Sequence, residues 1–195
     1  MQVGEIIKYY RERNGLTQAQ LGIGICTATH VSKIEHGKTA YSSEIIAMFS
    51  DRLQIDIQKE IESFHNIEKQ LHYWHNAMIM QRMETVEKIK ETIESFPFIS
   101  ASKFAAFFHL LEARYYLLHQ DGKKAYQIVQ HVKNNHPDLP PYEKNLLWHI
   151  MGIHYLFHQP NSENQLKAIE VLKKIDIDIY GNPEYYYDLA VAYHY

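Results

Sequence analysis

The sequence predicts an all-α protein built in two parts. Apolar residues recur at intervals of three and four along most of its length, the spacing of buried helix faces. Only 8 Gly and 6 Pro interrupt 195 residues. Two short segments, Tyr116-Leu-Leu-His-Gln120 and Tyr155-Leu-Phe-His-Gln159, are nearly identical and stand 39 residues apart. Self-similarity at such a distance marks stacked helical hairpins.

The first helix is expected at about Val3 to Arg13, with Ile6, Ile7 and Tyr10 inside and Lys8, Arg11 and Arg13 outside. Two short helices follow. Thr17 is a suitable N-cap for the first of them, because its hydroxyl accepts from an orphan backbone amide. Leu21 and, one turn on, Ile25 face inward. Gly22 and Gly24 are small enough to let the next helix cross closely. Thr27 caps that helix, which buries Val31 and Ile34 and ends at Gly37, a residue tolerant of positive φ. Its opposite face carries Ala28, Thr29, His30, Ser32 and Lys33. A fourth helix, about Ser43 to Leu53, adds Ile45, Ile46, Phe49 and Leu53 to the core. A linker is expected near Ile55 to Phe64, with Asp56 capping a connecting helix, the fifth of this part.

Two short helices around a tight turn, with short polar side chains at the start of the second, are the helix-turn-helix of DNA-binding domains. The residues Leu16-Thr17-Gln18, Leu21, Val31-Ser32-Lys33-Ile34-Glu35 and Gly37 resemble the Xre/Cro-like family, whose fold is the five-helix lambda-repressor-like domain. The turn at Ile25-Cys26, one residue shorter than the commonest form, is similar to that of the PlcR/NprR/Rgg peptide-sensing regulators. We place this domain at residues 1–66. The resemblance implies duplex DNA as ligand. Ala28, Thr29, His30 and Lys33 would read bases, Gln18, Lys38 and Tyr41 would hold phosphates, and Thr27 and Ser32 belong to the same DNA-binding set. Packing demands alone rarely produce this combination. A small helical domain serving protein contacts is the plainer reading, and Cys26 is read as a small buried residue rather than a reactive thiol.

Composition narrows the class. With 46% hydrophobic and 22% charged residues the chain reads as a soluble globular protein. A single cysteine excludes an internal disulfide and suits the reducing cytoplasm. No stretch reaches the ~20 apolar residues of a membrane span, and Met-Gln-Val-Gly-Glu lacks the order of a signal peptide. Net charge is −3. Within residues 1–55, six basic residues (Lys8, Arg11, Arg13, Lys33, Lys38, Arg52) face five acids, a local balance of +1. Phosphate contacts dominate DNA affinity, so one weakly basic copy binds modestly and a homodimer on an inverted-repeat operator is expected.

From Ile67 onward the pattern resembles the tetratricopeptide repeat: a bulky residue, a small one four later, an aromatic three later. Trp148, Gly152 and Tyr155 fit, as do Tyr186, Ala190 and Tyr193; His109, Ala113 and Tyr116 fit except at the first position. Ala125 and Pro137 fall where that pattern places a small residue and a terminating proline. The repeats are thus expected at spacings of 39 and 38, within a repeat domain over residues 67–195. Gln70–Met80 with Glu84–Phe96 forms a further, degenerate hairpin. The sequence stops inside the first helix of a new repeat, with Leu189, Ala190 and Tyr193 uncovered, so we read it as truncated at its C-terminus.

Thirteen histidines invite a metal reading, since His72/His75 and His154/His158 can each share a helix face. No His-Glu-x-x-His string or third ligand accompanies them, so neither a metal nor any other cofactor is expected. No Gly-x-Ser-x-Gly elbow or Gly-rich phosphate loop is present, and no enzyme is expected. Glu112 and Arg114 are read as a solvated polar pair. In the run Tyr185-Tyr186-Tyr187, Tyr186 is expected to face the core. By resemblance, a short signalling peptide would lie on the inner face of the array, with Arg114, Asn145, His149 and Tyr187 as candidate contacts. The plainer reading of each is an ordinary polar surface residue.

These readings converge on a dimeric, sequence-specific transcriptional regulator of the cytoplasm, controlled by a peptide bound on its repeats. The alternative is a protein-interaction adaptor whose helix-turn-helix serves packing or dimerisation.

Overall fold

The computed structural model describes residues 3–96, 99 and 103–194. The described residues are helical with connecting turns, as the all-α reading requires. The chain divides into two compact units, residues 1–70 and 71–195, with the division inside one long helix.

The first unit contains α1 (Val3–Arg13), α2 (Gln18–Gly22), α3 (Ala28–Glu35), α4 (Ser43–Leu53) and the beginning of α5 (Ile57–Ile79). Ile6, Ile7, Leu21, Val31, Ile34, Phe49 and Leu53 are buried together with Ile57, while Ile45 and Ile46 are half-buried. Asp56 Oδ1 accepts from the Lys59 amide at 3.1 Å, so it caps α5 as its sequence position suggests. Two residues differ from expectation in burial: Cys26, expected inside, is half-buried, and Arg11 lies inside the fold, not on its surface. Arg11 is drawn in by an acidic partner from α3. Gly4 makes the α1–α3 crossing possible, because a Cβ there would stand 2.0 Å from the Ile34 carbonyl oxygen.

The second unit pairs α7 (Ala105–Leu118) with α8 (Gly122–Asn135) and α9 (Pro141–Ile153) with α10 (Ser162–Leu172), while the end of α5 meets α6 (Met83–Glu94) where Trp74 Nε1 donates to the Val86 carbonyl at 3.0 Å. A π-helical turn, His154–His158, continues α9. The short α11 (Ile177–Tyr180) leads into α12 (Glu184–His194). Small residues open the close contacts, as the repeat pattern requires: a Cβ on Gly152 would stand 2.5 Å from Leu172 Cδ2. α5 and α7 close alike. Gln81 and Gln120 adopt positive φ, and the next amides, of Arg82 and Asp121, reach back to the carbonyls of Ala77 and Tyr116.

The repeat length is constant, which corrects the expected 38-residue step. Phe107, Leu146 and Tyr185 are buried at equivalent positions, and so are Leu71, Leu110, His149 and Asp188, each 39 residues from the next. In the second helices Val86, Ala125 and Asn164 repeat the spacing. Tyr185 therefore faces the core, and Tyr186 is 58% exposed. Ala190 and Tyr193, placed by the 38-residue register at packing positions, are exposed as well.

Candidate nucleic-acid interface

Local chemistry shapes α2, the turn and α3. Thr17 Oγ1 accepts from the Gln20 amide at 3.1 Å, and Gln20 Oε1 accepts from the Thr17 amide at 2.8 Å, a reciprocal cap on α2. The Gly22 carbonyl then receives the amides of both Ile25 and Cys26 at 2.9 Å. Of the two glycines read as close-approach residues, only Gly22 is one: its Cβ would lie 3.3 Å from Val31 Cγ2. Gly24 has open space and φ +71, so its role is conformational. Thr27 Oγ1 caps α3 by accepting from the His30 amide at 3.2 Å. Gly37, at φ +64, ends α3; the amides of Gly37 and Lys38 reach the carbonyls of Ile34 and Lys33 at 2.9 and 2.8 Å. Burial pushes the Cys26 thiol pKa up, which keeps it protonated.

A buried charge pair locks these helices to α1. Glu35, the last residue of α3, accepts from Arg11 Nε at 2.6 Å, Arg11 Nη2 at 3.1 Å and Gln18 Nε2 at 2.8 Å. Arg11 Nη1 also donates to the Leu16 carbonyl at 2.8 Å. The carboxylate raises the pKa of Arg11, chiefly through this hydrogen bonding. The Arg11–Glu35 pair thus ties α1, α2, the loop before α2 and α3 together.

The frame sets the residues that sequence placed against DNA. Thr27, Thr29, Lys33, Lys38 and Tyr41 are exposed; Ala28, His30 and Ser32 are half-buried beside them on α3. Gln18, expected to hold a phosphate, instead gives its amide to Glu35. Sequence reasoning missed the inward role of Arg11 and Glu35 and the contacts of Arg52. A signal existed for Glu35, which stands one turn after Val31 on the buried face.

In the second unit, Arg114, Asn145 and His149 come together, but in the interior. Arg114 Nη2 donates to Glu184 at 2.5 Å, whereas the expected partner Glu112 meets His109 at 2.7 Å. Asn145 donates to the Pro141 carbonyl at 2.9 Å and accepts from the Asp176 amide at 2.8 Å. His149 Nε2 meets Asp188 and its Nδ1 meets the Tyr180 hydroxyl, both at 2.9 Å. A Nε2–H tautomer satisfies both contacts, donating to the carboxylate and accepting from the phenol. Burial, not surface display, thus describes three of the four peptide candidates, because Glu184, the Asp176 amide, the Tyr180 hydroxyl and Asp188 reach them from later in the chain. Tyr187 stands apart and is 67% exposed. His75 adds a fully buried ring to this interior cluster, joined to Tyr142 at 2.9 Å, and burial pushes its pKa well below the usual imidazole value. Among the described residues no three His, Cys, Asp or Glu side chains form a metal cluster. No described helix is long and apolar enough to cross a membrane.

Comparison with known proteins agrees with the geometry of the first unit: residues 7–59 match the helix-turn-helix family. This segment is therefore a helix-turn-helix domain, and the expectation of one is borne out. No curated protein matches the chain. Among solved structures, the chain is similar to the crystal structure of Bacillus thuringiensis PlcR in complex with the peptide PapR7 and DNA. That similarity has 16% identity and a TM-score of 0.41, over 99% of this chain and 87% of that one.

Proposed function

We propose that this chain is a sequence-specific DNA-binding transcriptional regulator. The observation that carries the reading is the rigid presentation of α3: Thr27 and Gly37 fix its ends, Val31, Ile34 and Glu35 are buried, and Thr29 and Lys33 point to solvent. A helix so held suits insertion into the major groove, where its first residues meet base edges. Ala28, Thr29, His30, Ser32 and Lys33 read bases in this proposal, and Lys38 and Tyr41 fix register on phosphates. A homodimer on a two-fold operator supplies the affinity that one weakly basic copy lacks. Selection of bound duplexes from a random pool, followed by sequencing, tests this. An inverted repeat is expected, with selectivity lost in Thr29→Ala/His30→Ala. Undiminished selectivity in that double variant overturns α3 as the reading helix.

We extend the proposal to control by a short peptide held on the first helices of the repeats. The support is the convergence of Arg114, Asn145 and His149 from two successive hairpins. Binding there requires ligand groups to replace Glu184 and Asp188. A peptide acts as a regulator only if it binds two arrangements of the chain unequally. Retention of members of a random heptapeptide pool, followed by mass spectrometry, is expected for the chain and lost in Arg114→Ala. Equal retention by both overturns this site.

A further inference from the structure

Arg52 counts among the basic residues of the first unit, yet its guanidinium is turned onto the backbone of the helix-turn-helix. From the last turn of α4, Nη1 donates to the Leu21 carbonyl at 2.8 Å and to that of Ile23, and stands 3.5 Å from that of Gln20. These carbonyls end α2 and begin the turn. Carbonyls at a helix end lack intrahelical donors, and a cationic donor is favoured there. α4 is a firm mount for this contact, since Phe49 and Leu53 on either side of Arg52 are buried.

Past the Gln18–Glu35 bond, which holds the start of α2, the segment it grips is lightly held. α2 is five residues long and buries only Leu21 and Gly22; a helix of that length does not sustain itself. Ile23 is 66% exposed, and nothing lies within 4 Å of a Cβ built on Gly24. At the end of α2, beyond the packing of Leu21 and of Gly22 against Val31, two hydrogen-bonded features direct the chain into the turn. One is the Gly22 carbonyl with its two amide donors; the other is the clasp from Arg52.

We propose that Arg52 is a positioning residue for base reading: its clasp on Leu21 and Ile23 sets the angle between α2 and α3, so that losing it reduces sequence selectivity rather than phosphate attraction. The inference rests on the DNA-reading proposal above. A phosphate contact and a positioning contact differ in what they change. Removing a phosphate contact flattens the dependence of log affinity on log salt by about 0.9 and weakens all sequences alike. Removing a positioning contact leaves that slope in place and narrows the gap between specific and non-specific duplexes.

The test measures affinity for the selected operator and for a scrambled duplex across a salt series, using the full chain, Arg52→Met and Arg52→Lys. Arg52→Met is expected to lower the specific-to-non-specific ratio about tenfold, the size of one lost base contact, with an unchanged slope. Arg52→Lys keeps the charge, but its ammonium ends one bond short of the position of Nη1, so it too is expected to lose selectivity. It carries the test if the Met variant does not fold. A flatter slope with the ratio intact in Arg52→Met, or wild-type behaviour of Arg52→Lys, overturns the positioning role. Failure of the underlying reading is distinguishable, because the unaltered chain then enriches no sequence at all.

Discussion

Removing the Glu35 carboxylate is the most demanding test of how the first unit holds together. In Glu35→Ala, Arg11 loses two hydrogen bonds to a carboxylate whose side chain is fully buried, and Gln18 loses a third. Arg11, itself 7% exposed, keeps only Glu12 at 3.2 Å and the Leu16 carbonyl. Breaking a buried pair from one side costs about 3–5 kcal/mol, because the remaining charge stays desolvated and uncompensated. A small domain has in total about 5–15 kcal/mol, so the loss is a large share of it. Replacing both partners, as Arg11→Met/Glu35→Leu, removes the stranded charge and is expected to recover much of the loss. Gln18→Ala removes one charged hydrogen bond, about 1.5–3 kcal/mol. Hydrogen-exchange free energies of the α1 and α3 amides isolate this unit, since both tryptophans, Trp74 and Trp148, belong to the second. A loss below about 1 kcal/mol in Glu35→Ala, or a double variant worse than either single one, refutes the argument.

Close helix crossings make a second prediction. Gly4→Ala sets a Cβ against the α3 backbone and is expected to unfold the first unit by hydrogen exchange, whereas Gly152→Ala meets the Leu172 side chain and costs about 1–3 kcal/mol in urea. Gln81→Gly and Gln120→Gly relieve left-handed backbone at non-glycine residues; each raises the urea midpoint by the equivalent of about 1 kcal/mol, at unchanged slope. Burial holds the Glu143 carboxyl up at about 7 against an ordinary 4.5. Its contribution is therefore complete below the lower value and lost as pH rises through the higher, and Glu143→Gln abolishes that trend in urea titrations. His75 runs the other way: its pKa is depressed from 6.5 by burial, so its contribution is present above that value and lost as pH falls. His75→Gln is expected to flatten the acid limb.

Much of the first unit is legible because its determinants are local. Thr17, Thr27, Asp56 and Gly37 act within three or four residues of their own position, and each does in the structure what its place in the sequence implies. Arg11 was not legible: on a helical wheel it is polar surface, and its partner lies 24 residues away. The bond of Gln18 is hidden in sequence for the same reason, its partner being the same carboxylate. In the second unit the small residues Ala113, Ala125 and Gly152 reveal the packing faces, since a missing side chain is visible in sequence. The final register was lost because Tyr185, Tyr186 and Tyr187 are chemically identical, and aromatic matching preferred the neighbour of the buried one. Arg114, Asn145 and His149 look like surface groups singly; only stacking brings Glu184, Asp176 and Asp188 against them.

The fixed 39-residue advance makes the second unit a one-dimensional lattice whose translation vector is one hairpin. Adding or removing a whole hairpin keeps every column in phase. One residue inserted within a first helix rotates all that follow by about 100° and mixes buried columns with exposed ones. Changes of length are thus tolerated in quanta. Chemistry, by contrast, varies freely along a column: Leu71 and Leu110 give way to His149 and Asp188 with the positions kept buried. The interior of this unit is therefore a row of addresses that substitution can rewrite from apolar to ionisable, except where two successive ones are bonded to each other, as His149 and Asp188 are, and must change together.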